Sequence, residues 1–111
     1  MAYDEVLAER VRLNAADAEG EVTERKMFGG LAFLLNGNMF AGVVGDELMV
    51  RLGEAGAAAA LRDEHVREMD FTGRTMRSMV FVAREGLDGP ALDDWVSAAA
   101  SFALSLPRKQ R

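Results

Sequence analysis

The sequence predicts an α+β fold in which helices cover one face of an antiparallel sheet. Short apolar segments separated by Gly and Asn turn signals fill the middle of the chain, and helical apolar spacing marks both of its ends. The predicted order is a helix, three or four strands, a short helix, two strands and a final helix. A chain of 111 residues suffices for one core, so we expect a single domain over residues 1–111.

The first predicted helix covers residues 3–18, where a modest apolar stripe recurs at helical spacing and Gly20 follows as a stop signal. The recurring positions are Tyr3, Val6, Leu7, Arg10, Val11, Leu13 and Asn14.

A meander of strands is predicted next, over residues 22–52. Its clearest signal is Asn36-Gly37 between two apolar runs, because both central residues of a type I′ hairpin turn need positive φ. Gly29-Gly30 predicts a bend or bulge after the first strand, and Gly45-Asp46 predicts another turn. The strands are then expected over residues 22–28, 31–35, 38–44 and 47–52.

The second half of the chain predicts two helices and two strands. An Ala-rich stretch indicates a short helix over residues 54–64. Strands are expected over residues 66–71 and 78–83, with a turn at Thr72-Gly73. The last helix begins near Pro90, is capped by Asp88 or Gly89 and ends at Pro107. Its apolar face consists of Leu92, Trp95, Val96, Ala99, Phe102, Ala103 and Leu106.

Composition excludes several classes of function. Without cysteine, the chain has no disulfides, thiolate metal sites, iron–sulfur clusters or cysteine nucleophile. The net charge is −5, and residues 1–24 hold seven acidic and two basic residues, which disfavours direct binding of nucleic acid. The longest apolar runs are far shorter than the ~20 residues that cross a bilayer. We expect a cytoplasmic protein without membrane association.

The sequence contains no recognisable catalytic set. His65 is the single histidine, and no serine lies in a G-x-S-x-G context. The adjacent pairs of acidic residues fall at predicted helix ends and turns, where structural roles explain them. We therefore expect no enzymatic activity and no cofactor, with an unrecognised carboxylate mechanism as a minor alternative.

Arginine and methionine are concentrated in the strand region, and each allows two interpretations. Arg51, Arg74 and Arg77 would hold a carboxylate or phosphate if they faced one side of the sheet. Alternatively, the strand arginines lie on a solvated face, paired with Glu24, Glu47 and Asp70. The methionines either fill the core or form an adaptable binding face; those on or beside strands are Met27, Met39, Met49, Met76 and Met79.

Several segments resemble the TfoX/Sxy N-terminal domain family. In order along the chain, they are residues 24–30, 36–39, 48–52, 69–74, 76–77 and 106–107. The resemblance implies an α+β fold similar in plan to secretion-chaperone-like domains, in a bacterial cytoplasmic protein. Family members regulate competence genes with the transcription machinery and commonly carry a second, C-terminal domain; we expect a stand-alone N-terminal domain here. Positions that match the family pattern are Arg25, Met27, Phe28, Gly29, Gly30, Arg51, Met76 and Arg77.

Together these observations predict a non-enzymatic protein-interaction module, a homodimer that also contacts a regulatory protein and acts as a transcription or competence-type accessory. The alternative is a small-molecule domain whose strand arginines bind an anionic ligand. The candidate partner- or ligand-binding residues are Arg25, Met27, Phe28, Gly29, Gly30, Arg51, Arg74, Met76 and Arg77.

Overall fold

Helices and strands alternate in the order that the sequence predicts. The computed structural model describes residues 3–27, 29–71 and 74–107, and for residues 69–71 and 74–76 it describes the backbone alone. The elements are α1 (Glu5–Ala15), β1 (Val22–Met27), β2 (Gly30–Leu35), β3 (Asn38–Val44), β4 (Glu47–Arg51), α2 (Gly53–Ala60), β5 (Val66–Phe71), β6 (Arg74–Val82), a 3₁₀ turn (Arg84–Gly86) and α3 (Pro90–Leu104). This architecture confirms the predicted α+β class.

The six strands form one antiparallel sheet in the order β1-β2-β3-β4-β6-β5. Strands β1 to β4 are the predicted meander, each paired with the next along the chain. After α2 the chain returns so that β6 pairs with β4 and β5 lies outside it. Strands β1 and β5 are therefore the two edges of the sheet.

The Asn-Gly hairpin turn between β2 and β3 is confirmed. Asn36 has φ 52° and Gly37 has φ 85°, which is the pair of positive values that a type I′ turn requires. The bend predicted at Gly29 is also present, with φ 72°. The turn predicted at Thr72-Gly73 lies outside the described residues.

Strand alternation directs one face of the sheet toward the helices. Leu48 and Val50 of β4 pack with α1, α2 and α3 in the main core, whereas Met49 between them points to the other face. The predicted apolar face of α3 is buried in that core at Leu92, Val96, Ala99 and Ala103. Helix α3 ends at Leu104, three residues before Pro107.

The predicted apolar stripe of α1 is partly wrong. Val6 and Leu13 are 73% and 64% exposed, and the buried residues are Leu7, Ala8, Val11 and Ala15. The helix begins at Glu5, because the Asp4 carboxylate accepts hydrogen bonds from the N–H groups of the first turn. Its buried positions recur at i, i+4 and i+8, so only a narrow stripe contacts the rest of the fold.

An ion pair ties α1 to the edge strand β1. Arg12 Nη2 donates to Glu24 Oε1 at 2.9 Å, and Arg12 Nε donates to the other carboxylate oxygen. The hydrogen bonds from Arg12 lower the pKa of Glu24 below its ordinary value. Because this pKa is lower in the folded protein, the pair stabilises the fold above the ordinary carboxyl range, and this contribution is lost as pH falls through the folded pKa.

Glu24→Gln is therefore expected to lower the free energy of unfolding near neutral pH, but by less than about 1 kcal/mol, because both side chains are partly exposed. Urea unfolding of both proteins at about pH 7 and about pH 2 checks this. The difference should vanish at the lower pH, where Glu24 is protonated. If the difference in free energy of unfolding persisted at about pH 2, it would not come from the ion pair between Arg12 and ionised Glu24.

Among the residues that the structure describes, no helix has both the length and the apolar composition needed to cross a bilayer.

Candidate functional site

The sheet face opposite the helices carries a second apolar cluster. Its buried members are Met49, Met79 and Phe81, with Met39 and Val44 packed against them, and no described helix residue takes part. Met49 and Met79 are 0% and 3% exposed, as the core-filling interpretation of the methionines expects.

Arg67 covers one end of this face. Its guanidinium carbon lies 4.4 Å from the centroid of the Phe81 ring, and its Nη2 donates to Glu47 Oε1 at 2.6 Å. Arg67 and Phe81 are register partners on β5 and β6, so their side chains share a face. Glu47 thus pairs with Arg67 of strand β5, whereas Glu24 pairs with Arg12 of helix α1 and not with a strand arginine.

Arg67→Ala is expected to lower the free energy of unfolding by about 1 kcal/mol, because it removes the cation–π contact and the aliphatic stem that shields Phe81. Arg62→Ala is the matched control, since Arg62 is exposed and forms no ion pair with a described residue. Urea unfolding measures both changes. Equal losses in the two variants would show that Arg67 does not stabilise this end of the sheet.

An open groove of about 320 Å³ occupies the other end of the face. Strands β1, β2, β3, β4 and β6 all contribute to it, together with the β2–β3 turn. The lining residues are Arg25, Met27, Leu34, Gly37, Asn38, Met39, Arg51, Ser78 and Met79. We call this surface the arginine groove.

The strand register explains how distant parts of the sequence meet in the arginine groove. Arg25 and Met27 are two positions apart on β1 and so share a face. Arg51 is the register partner of Met79, which brings the end of β4 to the same face. The groove therefore lies across the strands, from the β1 edge to β4 and β6.

The two arginines of the groove differ in how they are held. Arg51 is half-buried; its Nη1 donates weakly to the Met39 carbonyl at 3.4 Å, and its guanidinium carbon lies 5.7 Å from the centroid of the Phe102 ring. Arg25 is exposed on the edge strand. Arg51 is thus oriented by its neighbours, whereas Arg25 extends from the edge toward solvent.

The charges of the arginine groove are uncompensated within the described residues. None of the described lining residues is acidic, and neither Arg25 nor Arg51 forms an ion pair with a described carboxylate. Two guanidinium groups beside methionine and leucine side chains form a local positive surface on a chain of net charge −5. Such a surface attracts a carboxylate or another planar anion.

The structure distributes the other predicted site residues over different places. Arg77 is exposed and lines a separate concavity with Glu54 and Glu68, so it does not share the groove of Arg51. Gly29 is exposed, whereas Gly30 is buried in the sheet. Three predicted site residues cannot be placed in this way, because the side chains of Arg74 and Met76 and the whole of Phe28 lie outside the described residues.

The segments that meet in the arginine groove are largely those that carry the family resemblance: residues 24–30, 36–39 and 48–52. A family model described as the TfoX N-terminal domain matches residues 14–103. The chain belongs to the TfoX N-terminal domain family. The matched range contains all six strands and every residue that lines the groove.

No curated protein and no solved structure matches the chain. The expected likeness of this TfoX N-terminal domain to secretion chaperones therefore stays a prediction.

The candidate site residues predicted from the sequence did not include Leu34, Asn38 or Ser78 of the groove in this TfoX N-terminal domain. Met39 and Met79 were considered only under the interpretation of the methionines as an adaptable binding face. Asn38 Nδ2 donates to the Pro107 carbonyl at 3.0 Å, which ties the rim of the groove to the segment after α3. Asn38 and Met39 belong to the second segment that carries the family resemblance, residues 36–39, and this resemblance was the signal that could have identified them. Leu34 gave none, because an apolar strand residue is equally expected in a core.

The TfoX N-terminal domain has a further, acidic concavity of about 490 Å³ between the 3₁₀ turn and α3. Trp95 and His65 lie in it with four carboxylates, those of Asp63, Glu85, Asp88 and Asp94. Trp95 Nε1 donates to the Gly86 carbonyl at 3.3 Å, which gives this side chain a structural role. Within the described residues, no three His, Asp or Glu side chains are grouped so that they could hold a metal ion.

Proposed function

We propose that this TfoX N-terminal domain is a non-enzymatic, cytoplasmic protein-interaction module of the competence-regulator type, and that it binds its protein partner through the arginine groove. One observation supports this most directly. Within the described residues, Arg25 and Arg51 lie beside apolar side chains and form no ion pair, in a groove whose described lining contains no helix residue. Arginine and methionine are enriched at protein interfaces, where arginine often carries much of the binding energy.

The edge strand β1 adds to the same surface. Its central residues, Glu24, Arg25 and Lys26, are exposed, and the outer side of β1 has no neighbouring strand in the described sheet. An extended segment of a partner can therefore contact the groove and the backbone of this edge together. The partner is a regulatory protein in our proposal, and a second copy of the chain is a further partner in the expected homodimer.

Charge reversal in the groove tests this function. Arg51→Glu is expected to reduce capture of the partner from a host lysate at least about tenfold. The new glutamate would repel the anionic group of the partner that Arg51 attracts. Arg62→Glu makes the same charge change at an exposed site outside the groove and should capture as the unaltered protein does. Captured proteins are crosslinked and quantified by mass spectrometry.

Two controls make the capture experiment decisive. Urea unfolding confirms that both variants fold, and sedimentation velocity shows whether the captured partner is a second copy of this chain. If the unaltered protein, Arg51→Glu and Arg62→Glu captured equal amounts of the partner, the arginine groove would not be the binding site.

The same geometry supports a second candidate function, the binding of a small anionic molecule. The groove is large enough for a small ligand, and its described lining holds two arginines and no carboxylate. Native mass spectrometry of protein purified gently from its host would then detect a bound small mass. That mass should be absent from Arg51→Ala and present in Arg62→Ala.

A further inference from the structure

We infer that the arginine groove recognises an acidic–apolar peptide segment, in which carboxylate side chains flank an apolar one. The inference rests on the proposed function, because it names the chemistry of the partner at the same surface. It follows from three properties of the groove: its charge, the distance between its arginines and its apolar floor.

The arginines suit carboxylates. A guanidinium group offers a planar set of donors that matches a carboxylate in a bidentate pair. The Met39 carbonyl and the Phe102 ring contact Arg51 on the side of α3 and the β2–β3 turn. Because these contacts use only one weak hydrogen bond, most of the Arg51 donors are available to a ligand.

The positions of the arginines set the length of the segment. Arg25 is on β1 and Arg51 is on β4, and two strands lie between them. The register places Arg25 opposite Met49, two residues along β4 from Arg51. Three strand spacings of about 4.8 Å and two residues of about 3.3 Å along the strand therefore place the two backbones roughly 16 Å apart. At about 3.3 Å per residue, an extended segment covers this span in about five residues, and the long arginine side chains shorten it. We therefore expect acidic residues two to four positions apart.

The floor between the arginines requires an apolar side chain. Met27, Leu34 and Met39 are half-buried there, and Met79 lies beneath them. Methionine side chains repack easily around different apolar groups. A nucleic-acid backbone would leave this floor uncovered, and a chain of net charge −5 with two arginines here is poorly suited to a polyanion. A peptide with both carboxylate and apolar side chains can pair with the two arginines and also cover the apolar side chains between them.

Selection from a random 12-residue peptide display library tests the inference, with the double variant Arg25→Glu/Arg51→Glu used for counter-selection. The enriched peptides should carry Asp or Glu two to four positions apart around an apolar residue. A fluorescent synthetic copy of the most enriched peptide should bind the unaltered protein at least about tenfold more tightly than it binds Arg51→Glu.

Matched variants separate charge from geometry. Glu→Gln replacement in the peptide should weaken its binding about tenfold, and replacement of its apolar residue by Ser should also weaken it. Arg51→Lys should bind less tightly than the unaltered protein, because lysine keeps the charge but loses the planar fork. Arg62→Glu should bind as the unaltered protein does.

Three results would overturn the inference: no enrichment over the double variant, enriched peptides without an acidic bias, or peptide binding unaffected by Arg51→Glu. Arg51-dependent binding of inorganic phosphate or of a short single-stranded DNA, tighter than that of any selected peptide, would also overturn it. Any of these results would overturn the peptide inference alone, provided that capture of the protein partner still depends on Arg51. Capture that is independent of Arg51 overturns the proposed function itself.

Discussion

Gly30→Ala is expected to lower the free energy of unfolding by about 2–4 kcal/mol. A Cβ at Gly30 would lie 2.1 Å from the Val43 carbonyl oxygen and 3.2 Å from the Val44 Cα. These are backbone atoms of β3, which pairs with β2 beside Gly30, so no side-chain rotation relieves the clash. Either β2 moves away from β3 or their pairing opens at this end.

Gly29→Ala is the matched control for the clash. Gly29 has φ 72°, a conformation that costs an L-residue about 1–2 kcal/mol, but nothing lies within 4 Å of the Cβ that it would acquire. Urea unfolding of both variants should therefore rank Gly30→Ala as the more damaging. The reverse ranking would show that backbone conformation at Gly29 matters more than space at Gly30.

The comparison also separates two explanations of the Gly29-Gly30 motif. Both glycines were candidate binding residues from the sequence, but the geometry gives Gly30 a structural reason to lack a side chain. If Gly30→Ala folded with unchanged stability and lost capture of the partner, Gly30 would instead act in binding. If it lost stability and the folded fraction still captured the partner, its role would be confined to the pairing of β2 with β3.

Local chemistry explains why the strands were predicted well. The positive φ values at Asn36 and Gly37 are properties of those two residues, and a two-residue turn fixes which strands pair. Helix α1 was harder, because whether an apolar residue is buried depends on what packs beside it. Val6 and Leu13 have the hydrophobicity of core residues, yet α3 contacts the opposite side of α1.

The arginine groove depended on long-range features that a single sequence does not contain. Its assembly requires β6 to lie next to β4, which follows from the return of the chain after α2. The pairing of β5 with β6 also shifts between Glu68 and Met69. Such an irregularity breaks the alternation of faces, so counting back from Met79 does not place Arg77. The sequence thus predicted an arginine site but not which arginines share it.

Leu92→Ala is expected to lower the free energy of unfolding by about 2–5 kcal/mol, because it removes a large side chain from the centre of the main core. Leu92 is 1% exposed and lies in the first turns of α3, the helix that packs on α1, β3 and β4. The substitution leaves a cavity where three elements meet, and rigid strands on one side limit how far the helix can move to fill it.

Leu13→Ala is the matched control, with the same atoms removed from a residue that is 64% exposed. It should change the free energy of unfolding by no more than about 0.5 kcal/mol. Urea unfolding at low protein concentration measures both variants. Similar losses would mean that α1 buries Leu13 and that its orientation differs from the one described here. A small loss at low concentration that grows with protein concentration would show that a second copy covers Leu13, because a contact between copies stabilises the fold by mass action.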